Sequence, residues 1–123
     1  MEKLTINGEV YIKKPSITND LQTAISAEGL KYVIVRTYSA GVFAGYLKER
    51  VNREVTLLNA RRLWYWSGAS SLSELAVHGI ADPDGCKFPC EVSVVELLEA
   101  IEILEVTEKA RLKIAEVPEW KQR

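Results

Sequence analysis

The sequence is poor in the residues that build metal sites and redox centres. Its 123 residues include only two cysteines and one histidine. A structural zinc site needs four such ligands, and the chain has only three, Cys86, Cys90 and His78. The sequence therefore excludes a structural zinc site. Because thiols stay reduced in the cytoplasm, we expect two free thiols, at least one of them packed in a strand as a small apolar group.

Long apolar runs and an excess of charge of either sign are also missing. No stretch of about eighteen apolar residues predicts a membrane span, and Met1-Glu2-Lys3 leads into an alternating pattern that is unlike a signal peptide. Sixteen basic and seventeen acidic residues leave a formal charge of −1. A polyanion would therefore have to be bound by a local patch. We expect a cytoplasmic protein that has no membrane partner.

Catalytic patterns are equally scarce. The segment Ser67–Ser73 contains no nucleophile elbow, and the chain has no glycine-rich phosphate loop. His78 is predicted in the last turn of a short helix without a partner carboxylate or nucleophile. Acidic residues recur at every third position, which on strands is typical of a solvated edge rather than a metal site: Glu96, Glu99, Glu102, Glu105 and Glu108. We predict no enzyme activity, no catalytic residue, no metal and no cofactor.

Length and the hydrophobic content of 47% indicate a single domain over residues 1–123. Residues 1–29 are predicted to form a hairpin around Asn7-Gly8 and then a helix, because apolar residues recur at helical spacing from Ile17 to Ile25. Gly29 is placed to end that helix.

Residues 30–106 are predicted to form the β core. Three runs rich in β-branched and aromatic residues read as consecutive antiparallel strands: Leu30–Tyr38, Val42–Glu49 and Glu54–Trp66. Gly41 and Gly45 either mark the sharp bends of a small barrel or serve a turn and a bulge.

The second half of the chain alternates helix and strand signals. Ser71 and Glu74 predict an inserted helix over residues 71–78, which Gly79 ends. Two strands follow, over Lys87–Val95 and Glu99–Val106, with a break near Glu96–Leu98 and an uneven alternation that leaves part of this stretch open to a helical reading. Residues 107–123 are predicted to form a C-terminal helix, capped by Thr107, and a tail that frays unless Trp120 docks.

The predicted fold class is mainly β with short helices (α+β), either a small, strongly bent antiparallel sheet or a barrel. The stretch Tyr32–Leu47, with Gly41 in a turn and Gly45 at a bend, resembles the first two strands of Sm-like proteins, which are SH3-type β-barrels. That resemblance implies a small barrel, a homo-oligomeric ring and binding of RNA.

A second resemblance covers more of the chain. Tyr32–Trp66, the segment Ser71–Ala76 and Cys86-Lys87-Phe88-Pro89 are similar to a group of short uncharacterised bacteriophage and prophage proteins. This similarity implies a phage accessory role in the cytoplasm of the host cell. Counter-defence is one such role, exerted either by binding a host protein or by sequestering a nucleotide immune signal.

The run Arg61-Arg62-Leu63-Trp64-Tyr65-Trp66 carries the most specific signal for binding. On a strand, Arg62, Trp64 and Trp66 would share one face, since side chains alternate. Indoles offer stacking surfaces to a nucleobase, and a guanidinium grips phosphate with two hydrogen bonds. Arg36 and Tyr38, on a neighbouring strand, would add a second cation and a second ring. The alternative is that the two indoles fill a core or an oligomer interface.

Three hypotheses follow. The first is a non-enzymatic phage protein that sequesters a small nucleotide signal at Arg36, Tyr38, Arg62, Trp64 and Trp66. The second is an Sm-like RNA-binding protein, and the third is a protein–protein inhibitor of a host defence effector. A homo-oligomer is expected under all three, because a small sheet leaves edge strands that need cover.

Overall fold

A computed structural model describes residues 21–121 as an antiparallel sheet flanked by two helices, so the predicted α+β class is confirmed. The hairpin predicted around Asn7-Gly8 lies outside the described residues. The elements are β1 (Tyr32–Thr37), β2 (Val42–Val51), β3 (Glu54–Arg62), α1 (Leu72–His78), β4 (Glu91–Leu97), β5 (Ala100–Glu105) and α2 (Glu108–Glu116), with a 3₁₀ turn at Pro83–Gly85. None of the helices in this part of the chain is long and apolar enough to cross a membrane.

The five strands form one sheet in the order β4-β3-β2-β1-β5, and every neighbouring pair is antiparallel. Strands β4 and β5 lie at opposite edges, although Leu97 and Ala100 at their ends are separated by only two residues. Three peptide steps span at most about 11 Å, so the sheet must bend until its edges approach at this corner. The sheet is nevertheless not closed into a barrel, which decides between the two predicted forms.

Gly41 and Gly45 serve a turn and a bulge. Gly41 has a φ of +98°, which places it in the left-handed region that favours glycine. At Gly45 the register between β2 and β3 shifts, so that Asn59 and Ala60 face one residue of β2. A Cβ at Gly45 would lie 3.0 Å from the Ala60 Cα atom. The glycine therefore permits the close approach that the bend in the sheet requires.

The bent sheet buries both of its faces. The inner core lies inside the bend and consists of strand residues alone: Val33, Val35, Phe43, Val55, Leu57, Ala60, Leu97 and Ala100. The outer core lies between the other face and the helices, and its largest fully buried members include Ile34, Leu63, Leu75, Phe88 and Ile114. Because β1 alternates between the two cores, four successive residues, Tyr32–Val35, are all buried.

The predicted N-terminal helix is wrong over its described part. Residues 22–29 are extended and turned, with single bridges from Thr23 to Thr107 and from Ile25 to Lys31. The Ala24 N–H donates to the Val106 carbonyl, and the Ala24 carbonyl accepts from the Tyr32 N–H. Pairing with the sheet thus satisfies the backbone groups that a helix would have used internally, and tertiary contacts override the helical spacing.

The two largest differences from the predicted strand boundaries lie at the end of β3 and at the start of β4. Strand β3 ends at Arg62 rather than at Trp66, because its partner β2 begins at Val42 and the preceding Gly41 turns away. Lys87 forms only a single bridge with Tyr65, and β4 begins at Glu91. The segment Ala100–Glu105 is strand, which resolves its uneven alternation.

The two predicted helices are confirmed with their caps. The Ser71 hydroxyl accepts from the Glu74 N–H at the start of α1, and Gly79 ends that helix with a φ of +83°. The Thr107 hydroxyl accepts from the Ala110 N–H at the start of α2. The Glu74 carboxylate accepts from the Ser70 N–H, one residue earlier than in a standard capping box.

Candidate functional site

The predicted binding residues do not share one face, and strand β2 separates β1 from β3, which were predicted to be neighbours. Arg36 alternates with Val35 and therefore lies on the face of the outer core, where its Nε donates to Glu102 at 2.8 Å. Arg62 lies opposite Phe43 on the other face. Its guanidinium carbon is 4.3 Å from the centre of the Phe43 ring, and Nη1 donates to the Ala40 carbonyl. Arg62 thus covers one end of the inner core.

Tyr38 and Trp66 are also apart from each other. Tyr38 follows β1 and is 77% exposed, while Trp66 is partly buried against the outer core. The alternation that placed Trp64 and Trp66 beside Arg62 fails because the strand ends at Arg62. Trp66 thus fits the alternative in which an indole fills a core. Of Trp64 and Trp66, only Trp64 is largely exposed to solvent.

Trp64 forms a different group of side chains, which we call the indole patch: Trp64, Tyr65, Lys87 and Trp120. The indoles of Trp64 and Trp120 stack, with centroids 5.0 Å apart and planes inclined by 21°. The Lys87 ammonium lies 5.5 Å from the Trp64 ring centre and 5.8 Å from those of Tyr65 and Trp120. The patch therefore joins three exposed rings around one cation.

Three short backbone segments hold the indole patch. Tyr65 and Lys87 exchange both backbone hydrogen bonds, at 3.3 and 2.8 Å. The Trp120 N–H donates to the Phe88 carbonyl at 3.0 Å, which docks the C-terminal tail. Phe88 is fully buried and anchors the middle segment in the outer core. The rings are thus mounted on paired backbone and not on a free loop.

Arg61 binds two of the backbone segments that hold the indole patch. It is 9% exposed, and its guanidinium donates to the carbonyls of Phe88, Pro89, Ile114 and Val117 at 2.7 to 3.2 Å. The last two carbonyls belong to the C-terminal end of α2, where a cation is favoured by the helix dipole. Arg61 therefore ties α2 and the tail to the segment that carries Lys87.

The chemistry available to the indole patch is stacking together with attraction of an anion. Trp64 is 57% and Trp120 36% exposed, so each indole keeps accessible ring surface. Among residues 21–121, the ion pairs of carboxylates involve Lys31, Arg36 and Arg111, and not Lys87. An aromatic pair with an unneutralised ammonium suits a planar ligand that carries negative charge.

Other candidate groups have structural partners. Cys86 is buried and Cys90 exposed, and both are free thiols, as the sequence predicted. Burial raises the pKa of the Cys86 thiol, which disfavours its reactive thiolate. Glu105 accepts from Lys31 and Thr23, which lower its pKa, and Glu108 is held by Arg111. Within the described part of the chain, no group of three or more His, Cys, Asp or Glu side chains is placed to hold a metal ion.

Sequence reasoning found Trp64 but missed Lys87 and Trp120. Lys87 is separated from Trp64 by a helix and a loop, and Trp120 lies in the tail beyond Pro118. The only sequence signal for their grouping is weak: the buried residues Phe88 and Val117 lie next to them in the chain. Strand alternation could not find the group, because these residues come together after β3 has ended.

Comparison with known proteins gives a family and no activity. Residues 30–114 match the family model described as Domain of unknown function (DUF6948). The matched region includes all five strands, α1 and most of α2, together with Trp64, Tyr65 and Lys87. No curated protein and no solved structure matches the chain.

Proposed function

The chain belongs to the DUF6948 family, whose function is unknown, and we propose that it is a non-enzymatic protein that binds a nucleotide-type small molecule at the indole patch. The observation that carries this proposal is the stacked pair of Trp64 and Trp120, with the Lys87 ammonium within 6 Å of both ring centres. The proposal keeps the predicted ligand class and replaces most of the predicted residues.

The geometry supports a two-part mode of binding. A nucleobase stacks on the accessible face of an indole, since every base has a π face that an aromatic ring can cover. Lys87 then lies beside the stack, where its ammonium attracts the phosphate as a point charge. Tyr65 adds a phenol ring and a hydroxyl at the rim. No step of bond making or breaking is needed for this activity.

The similarity to short phage proteins supplies a biological context for such binding. A protein that holds a nucleotide immune signal without changing it lowers the concentration of free signal in the host cytoplasm. Sequestration needs a tight site and a high level of the protein, but no turnover. We therefore propose counter-defence by sequestration as the role of the indole patch.

Isothermal titration calorimetry with a panel of mononucleotides, cyclic dinucleotides and ADP-ribose tests the proposal. We expect saturable binding by the wild-type protein and about tenfold or greater weakening by Trp64→Ala, since stacking contributes roughly 1–3 kcal/mol per base. Lys87→Gln should weaken binding and reduce its dependence on salt, because one phosphate contact is removed.

Tyr38→Ala is the matched control, because Tyr38 is an exposed ring outside the indole patch, and strand β2 separates its strand from β3. This variant should bind as the wild type does. If no nucleotide of the panel binds, or if Trp64→Ala binds as tightly as the wild-type protein, the proposed function is wrong.

A protein partner is the second candidate, and the exposure of Trp64, Tyr65 and Trp120 in one patch favours it. Tryptophan and tyrosine are the residues most enriched at the centres of protein interfaces. If a host effector binds there, Trp64→Ala should abolish its binding, and titration of the wild-type protein with nucleotides should show no binding. Single-stranded RNA could also stack on the indoles, and its binding would weaken steeply with added salt.

A further inference from the structure

A second concave site lies away from the rings of the indole patch, between the sheet and α2. We call it the tyrosine cavity, and its volume is about 380 Å³. Its wall includes Tyr32, Tyr46, two arginines, Arg61 and Arg111, and two glutamates, Glu91 and Glu119. A cavity of this size is within the range of small-molecule sites.

The first unusual feature of the tyrosine cavity is a buried charge that forms no direct ion pair among residues 21–121. The Arg61 guanidinium is nine-tenths buried, and its hydrogen-bond partners are four neutral carbonyl groups. None of the ion pairs formed among residues 21–121 involves Arg61. Buried charges in proteins are normally paired directly with an opposite charge. The carboxylates of Glu91 and Glu119 also lie in the wall of the cavity, so Arg61 favours an oxyanion that belongs to a ligand with a donor group as well.

The second feature is a set of hydrogen-bond donors without acceptors. Tyr32 is 7% exposed, and its hydroxyl makes no hydrogen bond within the described part of the chain. Its ring meets that of Tyr46 edge to face at 4.9 Å. Arg111 uses Nε and Nη2 to hold Glu108, which leaves Nη1 without a partner among those same residues.

These donors line the same cavity as the buried Arg61 guanidinium. A buried polar group without a partner costs roughly 1–3 kcal/mol. An oxyanion has several lone pairs and satisfies two or three such donors at once. The carboxylates of Glu91 and Glu119 are exposed and lie in the wall of the same cavity. They disfavour a bare anion near them and favour a ligand with a donor group at those positions.

We propose that the tyrosine cavity binds a small molecule through its phosphate or carboxylate group, with the Tyr32 hydroxyl as a donor to the oxyanion. Arg61 and Arg111 supply the positive charge, and Glu91 accepts from a donor elsewhere on the ligand. This site is separate from the indole patch and does not depend on the function proposed there.

Inorganic phosphate and acetate, each titrated at ionic strength held constant with sodium chloride, test the two possible anionic groups. The first readout is the nuclear magnetic resonance shift of the Cys90 and Glu91 backbone amides. The second is the rate at which iodoacetamide alkylates Cys90, an exposed thiol in the cavity wall. We expect saturable shifts and slower alkylation with at least one of the two anions, and the stronger binder identifies the group that the site takes.

Tyr32→Phe removes the hydroxyl without removing the ring, and it should weaken binding of that anion about tenfold or more. Arg111→Gln should also weaken it, whereas Trp64→Ala should leave it unchanged. The proposal is overturned if neither anion gives a saturable shift, or if Tyr32→Phe binds the anion as tightly as the wild-type protein. Equal weakening by Trp64→Ala would also overturn it, because the anion would then bind at the indole patch.

Discussion

Arg61 is a buried cation whose partners are all backbone carbonyls. It contacts the end of α2 at Ile114 and Val117 and the segment at Phe88 and Pro89. A lysine could not reach these four oxygens, because its single ammonium lacks the fork of a guanidinium. Arg61 thus joins parts of the chain that are distant in sequence.

We expect Arg61→Met to lower the free energy of unfolding by about 3 kcal/mol, since it leaves buried carbonyls without donors. Chemical denaturation followed by circular dichroism measures this loss. Arg62→Met is the control, and its effect should stay below about 1 kcal/mol because the Arg62 guanidinium is at the surface. Equal losses for the two variants would contradict the role assigned to Arg61.

We expect the buried Tyr32 phenol to make the protein less stable at alkaline pH. Burial, with Tyr46 and Glu91 nearby, raises the pKa of Tyr32 well above its ordinary value of 10.0. The unfolded chain releases this proton near pH 10 while the folded protein retains it. Stability therefore falls as the pH rises above about 10, by up to about 1.4 kcal/mol per pH unit from this group.

Tyr32→Phe removes that contribution and should flatten the dependence of stability on pH between about 9 and 11. Denaturation curves of the two proteins at matched pH values measure the difference. At neutral pH the variant should be at least as stable as the wild-type protein, because it removes a buried hydroxyl that makes no hydrogen bond in the described part of the chain. Parallel pH profiles would show that Tyr32 is not the buried group responsible.

The two helices meet at Thr107, whose side chain serves both. Its hydroxyl accepts from the Ala110 N–H at the start of α2 and donates to the Val77 carbonyl near the end of α1 at 2.7 Å. The Thr107 N–H also donates to the Ala76 carbonyl. One residue therefore caps a helix and attaches the inserted helix to the sheet.

Thr107→Ala should cost about 2 kcal/mol, because a cap and a second, partly buried hydrogen bond are lost together. Thr107→Ser retains the hydroxyl and should cost less than half as much. Ser71→Ala, which removes an exposed cap alone, gives the comparison for α1. Thermal or chemical denaturation measures all three variants, and equal effects of Ala and Ser at position 107 would exclude the hydrogen-bonding explanation.

At the scale of the whole molecule, the open sheet has two edges, at β4 and β5. Strand β4 exposes Val92 and Val94, with exposed fractions of 42% and 55%. Unpaired edge strands with apolar side chains favour association with another chain. The homo-oligomer therefore remains a prediction, and the exposed edge strand β4 is the surface at which we expect it to form.

Sedimentation measures that association. We expect an oligomer for the wild-type protein and a shift toward monomer for Val94→Lys, because a charge at an edge opposes pairing. Leu112→Lys changes an exposed apolar residue on α2 and should leave the association unchanged. A monomeric wild-type protein at all concentrations would refute the prediction.

The sequence determined the local structure where neighbouring residues carry the signal. The caps Ser71 and Thr107 and the helix stop at Gly79 were all readable, because a cap depends on residues only three or four positions away. The antiparallel pairing of β1, β2 and β3 was readable for the same reason, since short connections favour neighbouring pairs, whereas β4 and β5 do not pair although only two residues join them. Two free thiols followed from composition, whereas the buried one, Cys86, lies outside the strands and not within one as predicted.

The tertiary structure decided everything that depends on which distant segments meet. It made Ala24 part of an extended segment instead of a helix, because the backbone of Val106 and Tyr32 was available to pair with it. It ended β3 at Arg62, because β2 offered no further partner. The candidate site followed from these outcomes: Trp64 faces Trp120 and Lys87 only because Arg61 and the paired backbone bring three separate segments together, and no local pattern encodes that meeting.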